Sequence, residues 1–170
     1  MSDTFMIIGI VAADRNGAIG KGGKLPWHYS ADMKFFKETT MGNACVMGYR
    51  TWQTLKKPLP NRLNIVLSRN SEIEAQDSVM LLRDVESVLS TAKDLKCDLF
   101  VIGGEQVYRS FLPYIEQWIV TEVPLTVAGA DAFVPENYLE GFKLAESRRL
   151  DEELMVSFYN SLRRDQKSDN

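Results

Sequence analysis

The stretch CDLFVIGGEQVYRSFLPY, Cys97 to Tyr114, decides the fold. A continuous apolar run, CDLFVIGG, precedes a helical pattern, EQVYRSFLPY, and Gly103-Gly104 stands between them. The first half lacks the apolar-polar alternation of a half-solvated strand, so it reads as a strand buried on both faces. Strand, glycine turn and helix in succession form the unit of an α/β fold, in which helices cover a mostly parallel sheet.

The same unit repeats outward in both directions. FMIIGIVAAD, residues 5–14, reads as a buried first strand, and NGAIGKGGKLPW after it as a loop with four glycines. A helix follows from Ala31, with Ser30 as its N-cap. ACVMG, RLNIVLSR and VMLLR read as further strands, with YRTWQTL as a short helix after the first of them. DVESVLSTAKDL is amphipathic and turns Val85, Val88, Leu89 and Ala92 inward. QWIVTEVPL is a strand, and FKLAESRRL with LMVSFYNSL reads as a closing antiparallel hairpin. The prediction is a single-domain α/β fold over residues 1–164. It has a mostly parallel central sheet, helices on both faces and a C-terminal hairpin, and DQKSDN, 165–170, is a disordered tail.

Composition narrows the function classes. The chain has 170 residues, 45% hydrophobic and 25% charged, which is ordinary for a globular domain. A net charge of −3 argues against a general nucleic-acid or anionic-membrane binder. Cys45 and Cys97 lie in apolar runs and read as free thiols of a reducing compartment. His28 is the one histidine, which disfavours zinc chemistry and a Ser/His triad, and no metal spacing is present. The apolar run Phe5–Ala13 is too short to span a membrane, so a cytoplasmic protein is expected.

In open α/β sheets ligands bind beyond the carboxyl ends of the strands. Three such exits suit phosphates. Gly103-Gly104 precedes a helix start. Gly48 leads into Arg50 and Thr51. Ser68 and Arg69 close a strand, and Arg83 closes the next. Backbone N–H groups and several guanidiniums on one rim suit a dinucleotide with an extra 2′-phosphate. Asp32 stands apart. It lies in the first turn of its helix, beside Met33 and four residues before Phe36. It is either a helix-dipole acid or a lone acid in an apolar pocket.

The ordered motifs IGIVAADRNGAIGKGGKLPW, SADMKFFKETT, VMGYRTWQTL, KPLPNRLNIVLSR, FVIGGEQVY, WIVTEV and GADAFVP resemble the bacterial dihydrofolate reductases. The resemblance spans most of the chain. It implies NADPH as cofactor, with hydride transfer to pterin C6 and protonation of N5, in a cytoplasmic monomer inhibited by antifolates. It also implies roles for single residues. Asp32 would be the pocket acid, with Thr121 hydrogen-bonded to it and Trp27 holding a water beside it. Burial would raise the Asp32 pKa. Ile8, Met33, Phe36, Leu55, Leu59 and Ile102 would line the substrate. Arg62 would grip the α-carboxylate of its glutamate, with Lys57 near the entrance. Ile10 would offer backbone groups to the carboxamide.

The segment Asn16–Leu25 would be a mobile loop over the nicotinamide, with Ala18, Ile19, Gly20 and Leu25 at the cofactor. Gly48, Thr51, Gly103, Gly104, Glu105, Gln106, Val107 and Tyr108 would follow the pyrophosphate. Arg50, Ser68, Arg69 and Arg83 would meet the adenosine phosphates. The Gly103–Gly104 peptide would be cis. The chain departs from the family pattern at Tyr49, often arginine, at Glu105, often glycine, and at Ala132, often threonine. Two other readings stay open on the residues alone. One is an NADPH-dependent reductase of a riboflavin-pathway pyrimidine, and the other is a non-catalytic folate or nucleotide binder.

Overall fold

The computed structural model describes residues 5–165. In chain order the elements are β1 (Ile7–Ala13), β2 (Ala18–Gly20), α1 (Ser30–Thr40), β3 (Ala44–Gly48), α2 (Tyr49–Thr54), β4 (Leu63–Leu67) and β5 (Val79–Leu82). Then come α3 (Val85–Leu95), β6 (Leu99–Val101), α4 (Glu105–Phe111), a 3-10 turn Leu112–Tyr114, β7 (Gln117–Glu122) and β8 (Ala132–Phe133). The chain closes with β9 (Phe142–Arg149), β10 (Met155–Ser161) and α5 (Leu162–Asp165). Asp165, the first residue of the expected tail, ends α5. The rest of that tail, 166–170, lies outside the described residues.

Eight strands form one sheet in the order β5-β4-β3-β6-β1-β7-β10-β9. The strands from β5 to β7 are parallel, and β10 runs antiparallel to both β7 and β9. The predicted sheet and hairpin are thus both present. Because β6 inserts between β3 and β1, the exits of β1, β3 and β6 lie side by side at the carboxyl edge. That edge carries the site.

Two predicted details differ. Ser30 is the first helical residue of α1 rather than its cap. Tyr29, with extended backbone, occupies the cap position without a side-chain hydrogen bond. The expected loop after β1 contains a short ribbon, in which β2 pairs with β8. Three residues, one of them glycine, carry too little β signal to mark such a ribbon in the sequence.

The period of two along each strand divides the core into two layers. Ile7, Val11, Val46, Leu99, Val101, Trp118 and Val120 face α3 and α4, with Val88, Ala92, Val107 and Phe111 packed on them. Ile8, Ile10, Cys45, Phe100 and Ile119 face the other way, and Phe35 and Phe36 of α1 cover them. Gly9 has a packing reason. A Cβ built there would lie 2.5 Å from the Trp118 ring. Gly9→Ala is therefore expected to lower stability by about 1–3 kcal/mol through overpacking. Urea unfolding would register this as a lower midpoint at unchanged slope. An unchanged midpoint would mean that Trp118 can move aside.

Candidate active site

On α1, Asp32, Phe36 and Thr40 recur every four residues and so share a face. That face looks onto Ile8 and Ile10 of β1 and Ile102 beyond β6. Thr121 lies opposite Ala12 in the β1–β7 register, on the same side of the sheet as Ile119. Burial raises the Asp32 pKa above the ordinary carboxylate value, and the Thr121 side chain, as hydrogen-bond partner, opposes that rise. The folded protein therefore holds this proton more tightly than a free side chain would. Part of the expected reason changes. Met33 is 57% exposed, so it does not wall the carboxyl group, and the desolvating surface is the β1 face with Phe36. Adjacent helical residues point about 100° apart, which carries Met33 off the buried stripe.

The far end of the same face meets Arg62. The residue is buried, 5% exposed as a whole. Nη1 donates to Thr40 Oγ1 at 3.1 Å and Nε to the Pro60 carbonyl at 3.0 Å, and Cζ stands 5.9 Å from the centre of the Phe36 ring. Thr40 in turn donates to the Phe36 carbonyl at 2.8 Å, so the end of α1 fixes the arginine. Among the described residues no carboxylate lies within ion-pair distance of Arg62. The nearby Cys45 thiol is pushed up to about 12, chiefly by burial, and is neutral. A buried cation without an anionic partner is unfavourable and marks a place for an anionic ligand.

Asn64 was not singled out in the sequence, and it shapes this corner. It is fully buried. Its Oδ1 accepts from Leu59 N–H at 2.8 Å, and its Nδ2 donates to the Leu59 and Arg62 carbonyls at 3.0 and 3.1 Å. A polar residue inside an apolar strand was the available signal. Leu55 and Leu59 are half-buried and Lys57 is exposed.

Trp27 places its indole N–H in a buried position with no protein acceptor among the described residues. A buried donor of this kind suits a ligand or a bound water.

The glycine turns and arginines singled out in the sequence lie at the exits of β3, β4, β5 and β6. The Gly103–Gly104 peptide is cis. Gly103 has a φ of +118°, which an L side chain rarely adopts, and a Cβ there would crowd Tyr108 at 3.3 Å. Gly48 N–H donates to the Gly103 carbonyl at 2.9 Å, joining the two turns. A Cβ on Gly104 would meet only Thr51 Oγ1 at 3.7 Å, so the backbone is open to a ligand on that side. Gln106 is exposed, and Glu105 turns away to pair with Arg109 at 3.4 Å. That pairing limits the acid's repulsion of a phosphate.

Val107 and Tyr108 are core residues. The Tyr108 hydroxyl donates to the Ile10 carbonyl at 2.8 Å and holds β1 in place. Arg50 and Arg69 are exposed and have no acidic partner among the described residues. Arg83 differs from the expected free cation. It donates to the Ser68 and Ser71 carbonyls at 3.1 and 2.6 Å and pairs with Glu72 at 2.7 Å. Its guanidinium organises the loop after β4, and Ser68 Oγ accepts from Ser71 N–H in that loop. The loop after β1 carries half-buried Ile19 and buried Ala18 and Gly20, while Leu25 is 62% exposed. Asp131 accepts from Gly22 N–H at 2.9 Å.

The family model described as dihydrofolate reductase matches residues 6–163. The chain belongs to the dihydrofolate reductase family. It is 36% identical to the dihydrofolate reductase of Bacillus subtilis over 146 residues, covering 85% of this chain and 84% of that protein. It is 38% identical to that of Mycobacterium tuberculosis over 135 residues, covering 76% and 80%. Among solved structures, dihydrofolate reductase from Enterococcus faecalis, complexed with NADP(H) and the compound RAB-propyl, matches with a TM-score of 0.82 at 33% identity. That match covers 92% of this chain and 96% of the other. No helix among the described residues is long and apolar enough to cross a membrane, and those residues hold no cluster suited to a metal ion.

Proposed function

We propose that the protein reduces dihydrofolate to tetrahydrofolate with NADPH, in support of one-carbon metabolism and of thymidylate, purine and glycine synthesis. One observation carries the reading. One sheet-facing stripe of α1 holds a half-buried acid at one end and meets an unpaired guanidinium at the other, with half-buried Phe36 between them. Eight residues of helix separate Asp32 from Thr40, a rise of roughly 12 Å. A ligand with a hydrogen-bonding amidine edge, an apolar middle and a distal carboxylate answers all three features, and dihydrofolate is such a ligand.

In this reading Asp32 binds the pterin amidine and, through water held by Trp27, supplies the proton to N5. Thr121 keeps the acid oriented. Ile8, Phe36, Leu55, Leu59 and Ile102 exclude water from the rings, and Met33 closes on them from its exposed position. Arg62 receives the α-carboxylate, with Lys57 at the entrance. When bound, NADPH supplies the hydride for C6. Ile10 backbone groups and the loop with Ile19 and Gly20 orient its nicotinamide end. Gly48, Thr51 and the 103–107 turn follow its pyrophosphate, and Ser68, Arg69 and Arg50 meet its 2′-phosphate. The chain acts as a cytoplasmic monomer of one domain, and needs neither nucleic acid nor membrane.

The test is turnover of NADPH with dihydrofolate, compared between wild type and Arg69→Ala. Losing charge-assisted hydrogen bonds to a phosphate weakens NADPH by about 10- to 100-fold. NADH lacks that phosphate and should be affected little. Equal losses for both cofactors would remove the 2′-phosphate role. Dihydrofolate-independent NADPH binding without turnover would favour a binder.

A further inference from the structure

Asn64 is the second residue of β4, and the reading above gives it no part in binding. It is fully buried in an otherwise apolar strand. Its amide is spent on one turn and one strand start. Oδ1 accepts from Leu59 N–H at 2.8 Å, and Nδ2 donates to the Leu59 and Arg62 carbonyls at 3.0 and 3.1 Å. Nδ2 also reaches the Ser78 carbonyl at 3.3 Å, and the Asn64 backbone N–H donates to that same carbonyl at 2.8 Å. The side chain is therefore anchored at the entry to β5 and grips both ends of the 59–62 turn. Within that turn Asn61 has a φ of 61° and reverses the chain, a left-handed conformation that asparagine tolerates.

We propose that Asn64 is a positioning residue for the distal carboxylate of the substrate. Its amide closes the 59–62 turn and thereby sets where the Arg62 guanidinium stands. The inference rests on the reading above, in which Arg62 receives that carboxylate. Three features support it. Arg62 Nε bonds the Pro60 carbonyl at 3.0 Å inside the same turn, so the conformation of the turn directs the guanidinium. The turn precedes β4, which begins at Leu63, so a side-chain amide supplies pairing that a strand would draw from its neighbour's backbone. Asn64 and Arg62 are both buried, so solvent does not replace these bonds when the amide is lost. A binding group is held to a fixed place only when the residues behind it are themselves locked, and here the lock is tied to the sheet through Ser78.

Serine at this position is too short to span Leu59 and Arg62 together. In the full-length protein, Asn64→Ser is expected to raise the KM for dihydrofolate about 10-fold, less than removal of the arginine itself, with kcat changed little. The KM for 6-methyl-7,8-dihydropterin, which lacks the glutamate, should stay at its wild-type value. The ratio of the two KM values does not depend on how much protein is folded. A merely structural role would lower the unfolding midpoint and leave that ratio unchanged, and this result would overturn the proposal. The double variant Arg62→Leu with Asn64→Ser should show the dihydrofolate KM of Arg62→Leu alone, because the amide acts through the arginine. Losses that multiply would mean that the two act independently, and would also overturn it. If Asn64→Ser does not accumulate folded, Asn64→Thr, which suits a strand better, takes its place under the same criteria. No turnover in the wild type would defeat the reduction reading and this inference with it. Wild-type turnover with an unchanged KM ratio in the variant would defeat this inference alone.

Discussion

Asp32→Asn is expected to lower turnover of dihydrofolate by about 100-fold or more at neutral pH, the range for losing a positioned proton donor. The loss should shrink as the solution becomes acidic, because solvent then delivers the proton that the side chain no longer supplies. Stability should move the other way. Burial raises the folded-state pKa of Asp32 above its unfolded value. The folded protein then binds that proton more tightly, and the associated stability is present at low pH and lost as pH rises through the folded value. Asparagine removes the penalty of a buried ionised carboxylate, so the variant should unfold at a higher temperature than wild type near pH 7. Below about pH 4, where the wild-type acid is protonated in both states, the gain should vanish. Thermal unfolding at both pH values, beside the turnover profile, checks the pair of signs. Equal turnover in variant and wild type would return Asp32 to a helix-dipole role.

Arg62→Leu carries the second large effect, and it should appear in binding. The guanidinium is buried against Phe36 and Thr40 with no acidic partner among the described residues. Removing it should not destabilise the free protein much, since an unpaired buried cation is itself unfavourable. Binding a carboxylate ligand should weaken by about 2 kcal/mol or more, roughly 30-fold and upward, as for truncating one partner of a buried charge pair. The KM for dihydrofolate should rise accordingly, with kcat changed little. A pterin ligand without the glutamate should bind both proteins alike. A KM for dihydrofolate that stays at the wild-type value would show that the carboxylate binds elsewhere.

The sequence made the sheet legible because its strands are buried on both faces. Continuous apolar runs such as Ile7–Ala13 and Leu99–Val101 leave little choice of structure. The β2–β8 ribbon was not legible, since its pairing joins distant segments, as does the Gly22 N–H bond to Asp131 beside it. Site residues divide in the same way. Asp32 and Phe36 declare a shared face by their spacing, but Thr121 joins them only through the β1–β7 register. Arg62 and Arg83 look alike as charges in a sequence. One is buried and unpaired because Thr40 and Pro60 hold it, and the other is tied to Glu72 and its own loop. Burial is a property of the assembled fold, so no local pattern separates the two.

The most direct measurement follows the transferred hydrogen. Dihydrofolate is incubated with the protein and NADPH deuterated at the transferable position of nicotinamide C4, and the product is analysed by mass and NMR. The expected product is tetrahydrofolate carrying deuterium at C6 and a solvent-derived proton at N5. Deuterium elsewhere in the product, or no reduced folate despite NADPH binding, would contradict it.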